Sequence, residues 1–220
     1  MFVLMDRHFN KFTRDDFERD LAEKTWVILI EDEMNVLQGF STLRILEAVV
    51  RNIPVSAFYS GDTIVDRDSW GTSALARAWV RFVLPYAEER PGRRWHWFVV
   101  CKGFRTYRYL PVFFRDYLPR RNAAPRPFEK EVLDALAFLK FKSHYNPASG
   151  VITRPSDYCL REGISDIGDR ELRNPHIAFF QKRNPHWRNG SELACLTRLC
   201  RTNLKPRALT LLEERENPAR

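Results

Sequence analysis

Cysteine is scarce in this chain, four residues in 220, and no two of them stand in a CxxC pair. Cys101, Cys159, Cys195 and Cys200 are therefore expected to be reduced thiols, with neither a disulfide framework nor a zinc site. No apolar run reaches the length needed to span a bilayer. The opening MFVLMDRHFNKF is too short and too charged for a secretory signal, so a cytoplasmic location is the expectation. There is no internal repeat, no low-complexity tract and no nucleophile-elbow pattern, and the nine glycines are too few for a conventional glycine-rich phosphate loop. Acid is nearly missing from one stretch. Between Arg93 and Arg126 nine Lys or Arg face a single Asp116, so this segment alone accounts for the net charge of +8. What is present suffices for a folded core, at 44% hydrophobic and 13% aromatic residues.

The stretch Val55 to Phe82 organises the rest. Val55-Ser56-Ala57-Phe58-Tyr59 reads as a strand, Gly61-Asp62 breaks or bulges it, and Thr63-Ile64-Val65 is extended again. Asp66 to Gly71 is a polar crossing. Leu75, Ala78, Trp79, Phe82 and Val83 then recur at three- and four-residue spacings, the apolar stripe of a helix over Thr72–Tyr86. Gly71, Thr72, Ser73 and Ala74 leave the start of that helix open. The unpaired N–H groups of a first turn carry partial positive charge and attract phosphate.

This strand, turn and helix resemble the acyl-CoA-binding motif of the GNAT superfamily of N-acetyltransferases. Ile64-Val65 stands as the strand end, Gly71 as the first motif glycine and Ser73 as the second small position. Asp68 occupies a place usually held by Arg or Gln, and Trp70 one that is often basic. The resemblance covers about residues 25–118. It implies an α/β fold, a mixed twisted sheet with flanking helices. Residues 1–118 would form the GNAT-like core, and 119–220 an α/β extension completing or extending the same domain, one that could shape a larger pocket for a peptide or for the chain of a long-chain acyl-CoA. It implies acyl-CoA or coenzyme A as donor substrate at Ile64, Val65, Gly71, Thr72, Ser73 and Ala74, with no metal. The acceptor would be an amine of a small molecule, peptide or protein.

Along the chain, Thr13 is placed to cap a helix with Phe17, Leu21 and Ala22 inward. Thr25–Ile30 reads as a continuous apolar strand at the centre of the sheet, forming a hairpin with Val36–Leu46, with Val49–Asn52 as a connector and Trp95–Cys101 as a strand. Gly103–Tyr117 reads mostly as helix, kinked or restarted at Pro111. Pro119–Pro127 is a basic linker. Phe128–Phe141 is a helix with Val132, Leu133, Leu136 and Leu139 inward. Short elements follow at Val151–Thr153, His176–Lys182 and Leu193–Leu199, and Thr202 or Asn203 caps a last helix to about Glu214.

Acyl transfer to an amine requires loss of an amine proton, stabilisation of the thioester oxygen and departure of a thiolate. The candidate bases are Glu31, Asp32 and Glu33 in the first hairpin turn, Asp62 and His96, with His144, His176 and His186 in less patterned sequence. The resemblance implies a backbone N–H near Phe58–Ser60 for the oxygen. It also implies a tyrosine acid on the helix after Cys101. Phe114 stands nearest that position and cannot donate a proton, which leaves Tyr107, Tyr109 and Tyr117. Lys102, Arg105 and Arg108 are expected to meet the donor's phosphates or the acidic face of an acyl-carrier protein. Two other readings stand beside the transferase: a GNAT-like binding module without catalysis, and a nucleic-acid-binding protein using the aromatic and basic residues of 93–126.

Overall fold

The computed structural model describes residues 1–153 and 158–213. The N-terminal residues form helix α1 (Phe2–His8), followed by α2 (Arg14–Ala22). Thr13 caps α2, its hydroxyl accepting the Asp16 N–H at 3.1 Å. The chain then runs up and down through β1 (Trp26–Glu31), β2 (Leu37–Val50) and β3 (Ile53–Val65), all antiparallel. β2 is longer than its sequence suggested, and the expected connector shrinks to Arg51-Asn52. Both residues take positive φ (50° and 61°), as a two-residue hairpin matched to strand twist requires. The usual glycine signal is missing there.

Helix α3 (Ala74–Glu88) carries the chain across the sheet to β4 (Arg94–Cys101), which pairs parallel with β3. Then come α4 (Phe104–Tyr107), α5 (Tyr109–Phe113), α6 (Pro127–Phe141), β5 (Tyr145–Asn146), β6 (Val151–Ile152), α7 (Asp169–Leu172), α8 (Pro175–Arg183), β7 (Glu192–Arg198) and α9 (Pro206–Glu213). One mixed sheet results, in the order β1-β2-β3-β4-β7-β6-β5, in which only the β3–β4 pair is parallel, and β1, expected at the centre from its unbroken apolar run, is an edge strand whose residues alternate between half-buried and exposed. The protein is thus an α/β sheet with flanking helices. No helix among the described residues is long and apolar enough to cross a membrane.

Each face of the sheet buries its own cluster. Leu43, Phe58, Trp97 and Val99 pack under Trp79 and Val83 of α3. On the other face Ala57, Tyr59, Phe98 and Val100 pack under Val132, Leu133 and Leu136 of α6. Phe40 and Ile64 are covered by Leu4 and Met5 of α1 and Phe17 of α2. Leu139 does not join the α6 cluster and is 52% exposed. The buried stripe centres on Leu133, and six residues at the helical pitch place Leu139 roughly 120° around. The single helix expected over Gly103–Tyr117 is two short ones. Pro111 has no N–H and its ring collides with the carbonyl four residues back, that of Tyr107, where the break falls. Thr202 and Asn203 cap no helix. Asn203 is buried and its amide donates to the carbonyls of Asp116 and Arg198 and to the Thr197 hydroxyl, while α9 begins at Pro206. Glu214 and the start of the stretch after Thr153 lie outside the described residues.

Two irregularities in β3 shape everything that follows. Gly61 and Asp62 together oppose the single residue Thr42, whose hydroxyl accepts the Asp62 N–H at 3.0 Å. At the same level β3 and β4 part. Their pairing ends at Ser60 and Val99, yet β3 continues to Val65. A wedge opens between two parallel strands.

Candidate functional site

The wedge holds a cavity of about 350 Å³. Its lining joins pieces far apart in sequence. On the α3 side it takes Val65, Gly71, Thr72 and Ser73 with Arg105, Arg108 and Tyr109. On the side covered by α1 and α2 it takes Tyr59, Asp62, Asp20, Lys102 and Glu192.

The turn before α3 is built to stay open. Asp66 accepts the Asp68 N–H, and Trp70 Nε1 donates to the Val65 carbonyl at 2.9 Å. Gly71 adopts φ +96°, and a Cβ placed on it would meet nothing within 4 Å. No side chain caps α3, and no acidic residue sits in its first turn. The helix therefore presents unpaired N–H groups to the cavity's edge. Ala74 belongs to that first turn, while Ile64 is buried against the N-terminal helices with its backbone along the cavity. The Arg105 guanidinium lies 3.8 Å over the Trp70 ring, and its Nε donates to the Ile164 carbonyl at 2.7 Å. Trp70 thus holds a basic side chain in place beside the turn. Arg108 and Arg207 of α9 also line this mouth.

The opposite wall is charged differently. Lys24 is almost wholly enclosed, packs against Gly61 and pairs with the Asp20 carboxylate. A Cβ at residue 61 would stand 2.8 Å from Lys24 Cε, so only glycine allows this approach. Asp20 in turn sits against Asp62. Burial pushes the Asp62 carboxyl up to about 7, and the negative charge of Asp20 adds to the effect. Burial also pushes Asp20 upward, but the Lys24 ammonium outweighs it and holds Asp20 below the usual carboxylate range. The pair therefore shares one proton near neutrality, centred on Asp62. Asp62 Oδ2 has no hydrogen-bond partner.

Lys102 departs from expectation. It is 8% exposed, its ammonium lies 3.8 Å from Glu192 and 3.5 Å from the Tyr158 ring centroid, and it donates to the Tyr158 carbonyl. It is an enclosed cation of the α1 side, because alternation along β4 turns it away from Cys101 and α3. The basic segment does not act as one patch. Arg93 pairs with Glu47, Arg94 lies over Phe128, Arg115 holds the Leu204 carbonyl, and Arg120 and Arg126 share Asp116.

Of the acid–base candidates, the structure brings Asp62 and Tyr109 into the cavity and leaves the others outside it. Glu31 and Glu33 are exposed at the β1–β2 turn. Asp32 shapes that turn, accepting the N–H groups of Val36 and Met34 and the Gln38 amide, with Val36 foremost in holding its carboxyl down. Tyr107 is fully buried and donates to the Pro119 carbonyl. Tyr117 packs against it, and Phe114 packs on Trp97. His96 is buried with both ring nitrogens unpartnered, and burial pushes it down to about 4. His144 and His186 are exposed, and His176 is half-buried on α8. Burial pushes the Tyr109 phenol up, so it remains a proton donor at neutral pH. Asp20, Lys24, Glu192 and Tyr158 had no signal in the sequence. Their charges and rings look like ordinary surface residues until α1, α2 and β7 close on the wedge. Among the described residues no three His, Cys, Asp or Glu side chains gather as a metal site.

These features define a mixed α/β protein with an open-mouthed, bipolar cavity at a strand fork. No family model matches the chain, and no curated protein matches it. Solved structures overlap it partially. A tetramutant of the BH1408 protein from Bacillus halodurans shares 15% identity, with 53% of this chain and 76% of that one covered at a TM-score of 0.37. The F44R mutant of the same protein gives 14%, 53%, 75% and 0.37. A provisionally assigned phosphinothricin N-acetyltransferase shares 12% identity, with 51% and 73% covered at a TM-score of 0.30.

Proposed function

We propose that the chain is an N-acyltransferase that moves an acyl group from coenzyme A to an amine. The observation that carries the reading is the fork. One cavity joins an uncapped helix start rimmed by arginines to a carboxyl poised near neutrality, with an unpaired strand edge between them. The donor's pyrophosphate would lie on Gly71, Thr72, Ser73 and Ala74, with Arg105 and Arg108 completing its charge. Its pantetheine arm would run into the fork beyond Ser60, along the free edges of Ile64 and Val65, where strand N–H groups can meet the thioester oxygen.

The acceptor ammonium would reach the thioester from the Asp62 side. Asp62 takes a proton from nitrogen, and the freed lone pair attacks the carbonyl carbon. The tetrahedral intermediate collapses with cleavage of the C–S bond, and the departing thiolate takes a proton from Tyr109. The proton on Asp62 then leaves to solvent, and the second proton that the nitrogen sheds on becoming an amide restores Tyr109. A carrier-protein donor is a variant of this reading. It would dock on Arg105 and Arg108, and its binding would weaken with salt more steeply than that of free acyl-CoA.

Glutamate at residue 71 would be strained by the positive φ, so Ser73→Glu is the cleaner probe of the donor site. A carboxylate there should stabilise the helix start while repelling pyrophosphate. Calorimetric titration with coenzyme A should show binding to the native chain and at least tenfold weaker binding to the variant. Equal affinity in both would place the anion elsewhere.

A further inference from the structure

Beneath the wedge lies a second, smaller space. It is a slot of about 40 Å³ between the sheet and helices α3, α5 and α9. Ser60, Thr63 and Trp97 form its floor, and Leu75, Trp79 and Leu211 are among its walls. The floor's polar atoms are already satisfied. Ser41 and Thr63 bond to each other at 3.0 Å, and Trp97 Nε1 donates to Ser60 at 2.9 Å. Trp79 faces Trp97 with ring centroids 4.6 Å apart, and its own N–H has no oxygen partner. The slot therefore offers almost nothing to water and little to a charged ligand. It adjoins the large cavity, and Thr63, Ala76, Thr106, Tyr109 and Phe113 line both.

We infer that this slot receives the acyl chain of the donor, making the preferred substrate a thioester of a short aliphatic acid of about four to six carbons rather than acetyl. The inference rests on the transferase reading and adds to it the acyl class. The geometry supports it in three ways. The slot lies beside the fork, with Ser60, where the β3–β4 pairing ends, on its floor and Thr63 and Tyr109 on the wall it shares with the cavity. Its wall is hydrocarbon and aromatic. Its volume holds roughly three water-sized groups, or about as many methylenes. A long chain would run into Leu204 and Leu211.

Binding tests this without knowledge of the acceptor. Coenzyme A and its acetyl, butyryl, hexanoyl and palmitoyl thioesters are titrated into the full chain. Each buried methylene should tighten binding about fourfold, so the butyryl thioester should bind roughly fifteenfold and the hexanoyl thioester, with about three methylenes seated, roughly sixtyfold more tightly than the acetyl one, and palmitoyl no better than acetyl. Ala208→Leu, which fills the slot, should remove the preference for hexanoyl and leave acetyl binding unchanged. Leu211→Ala, which lengthens the slot, should move the optimum to longer chains, and it decides the matter if the first variant does not fold. Coenzyme A binding with no dependence on chain length, or variants that leave the chain-length profile unmoved, overturns this inference alone. A chain that binds no coenzyme A derivative overturns the transferase reading and this inference with it.

Discussion

Asp62→Asn should cut acyl transfer by about 10²- to 10⁴-fold, the usual contribution of a positioned general base. The donor's affinity should not change. The same substitution should make the protein more stable. An acid whose folded pKa is raised, here from 3.8 to about 7, favours the fold below its unfolded value and loses that contribution as pH climbs through 7. At pH 8 the native chain carries a carboxylate that burial and Asp20 both oppose, whereas the neutral amide can donate to Asp20. Thermal melts should show the variant about 5 °C above the native chain at pH 8, with the gap closing toward pH 4. Glu33→Gln, exposed at the far turn, should change neither property. Full activity in Asp62→Asn would remove Asp62 as the base, and a lower melting temperature at pH 8 would remove the account of its titration.

A second large effect should come from His96. The imidazole is buried beside β7, and its burial, helped by the charges of Arg198 and Arg94, outweighs the backbone of Arg94 and Ser56, which favours the charged form. A histidine whose folded pKa is depressed stays neutral in the fold while the unfolded chain takes up a proton. Stability present above about 6.5 is thus lost as pH falls toward about 4. The full loss is about 3 kcal/mol. Because Asp62 runs the other way over part of this range, the measurement is a comparison. Urea unfolding of the native chain and His96→Leu should diverge steadily from pH 7 to pH 4, the native chain losing more. Parallel pH profiles would show that His96 is protonated within the fold.

The parts of this molecule that the sequence made legible are those with a period. TWVILI and WHWFVVC could hardly be anything but strands, and the stripe from Leu75 to Val83 named both the helix and its buried face. Those elements and their order laid out the first four strands, and the break at Gly61-Asp62 left Asp62 among the candidate bases. Illegible were contacts between elements distant in sequence. Nothing in RDDFERDLA marks Asp20 as different from Asp16, since the distinction is only which of them α2 turns toward Gly61. Lys102 reads as one more cation in a basic run, and its enclosure depends on Glu192, ninety residues on. Leu139 shows the opposite failure, an apolar residue at helical spacing that the stripe's centre leaves outside.

The doubled residue in β3 has a consequence of a different kind, one of counting. Ser60 and Thr63 share a face although they are three apart, and Tyr59 and Ile64 face the other way although they are five apart. The strand changes its reading frame at Gly61-Asp62. The extra residue is what a strand of this length needs to keep Thr63 toward α3 and Ile64 toward the N-terminal helices. Loss of Gly61 or Asp62 would bring back strict alternation with Ser60 and Thr63 two apart, so both faces would stay as they are to Val65. What the shortened strand would lose is the doubled residue opposite Thr42, and with Asp62 gone the fork would keep its walls and have no carboxyl of its own.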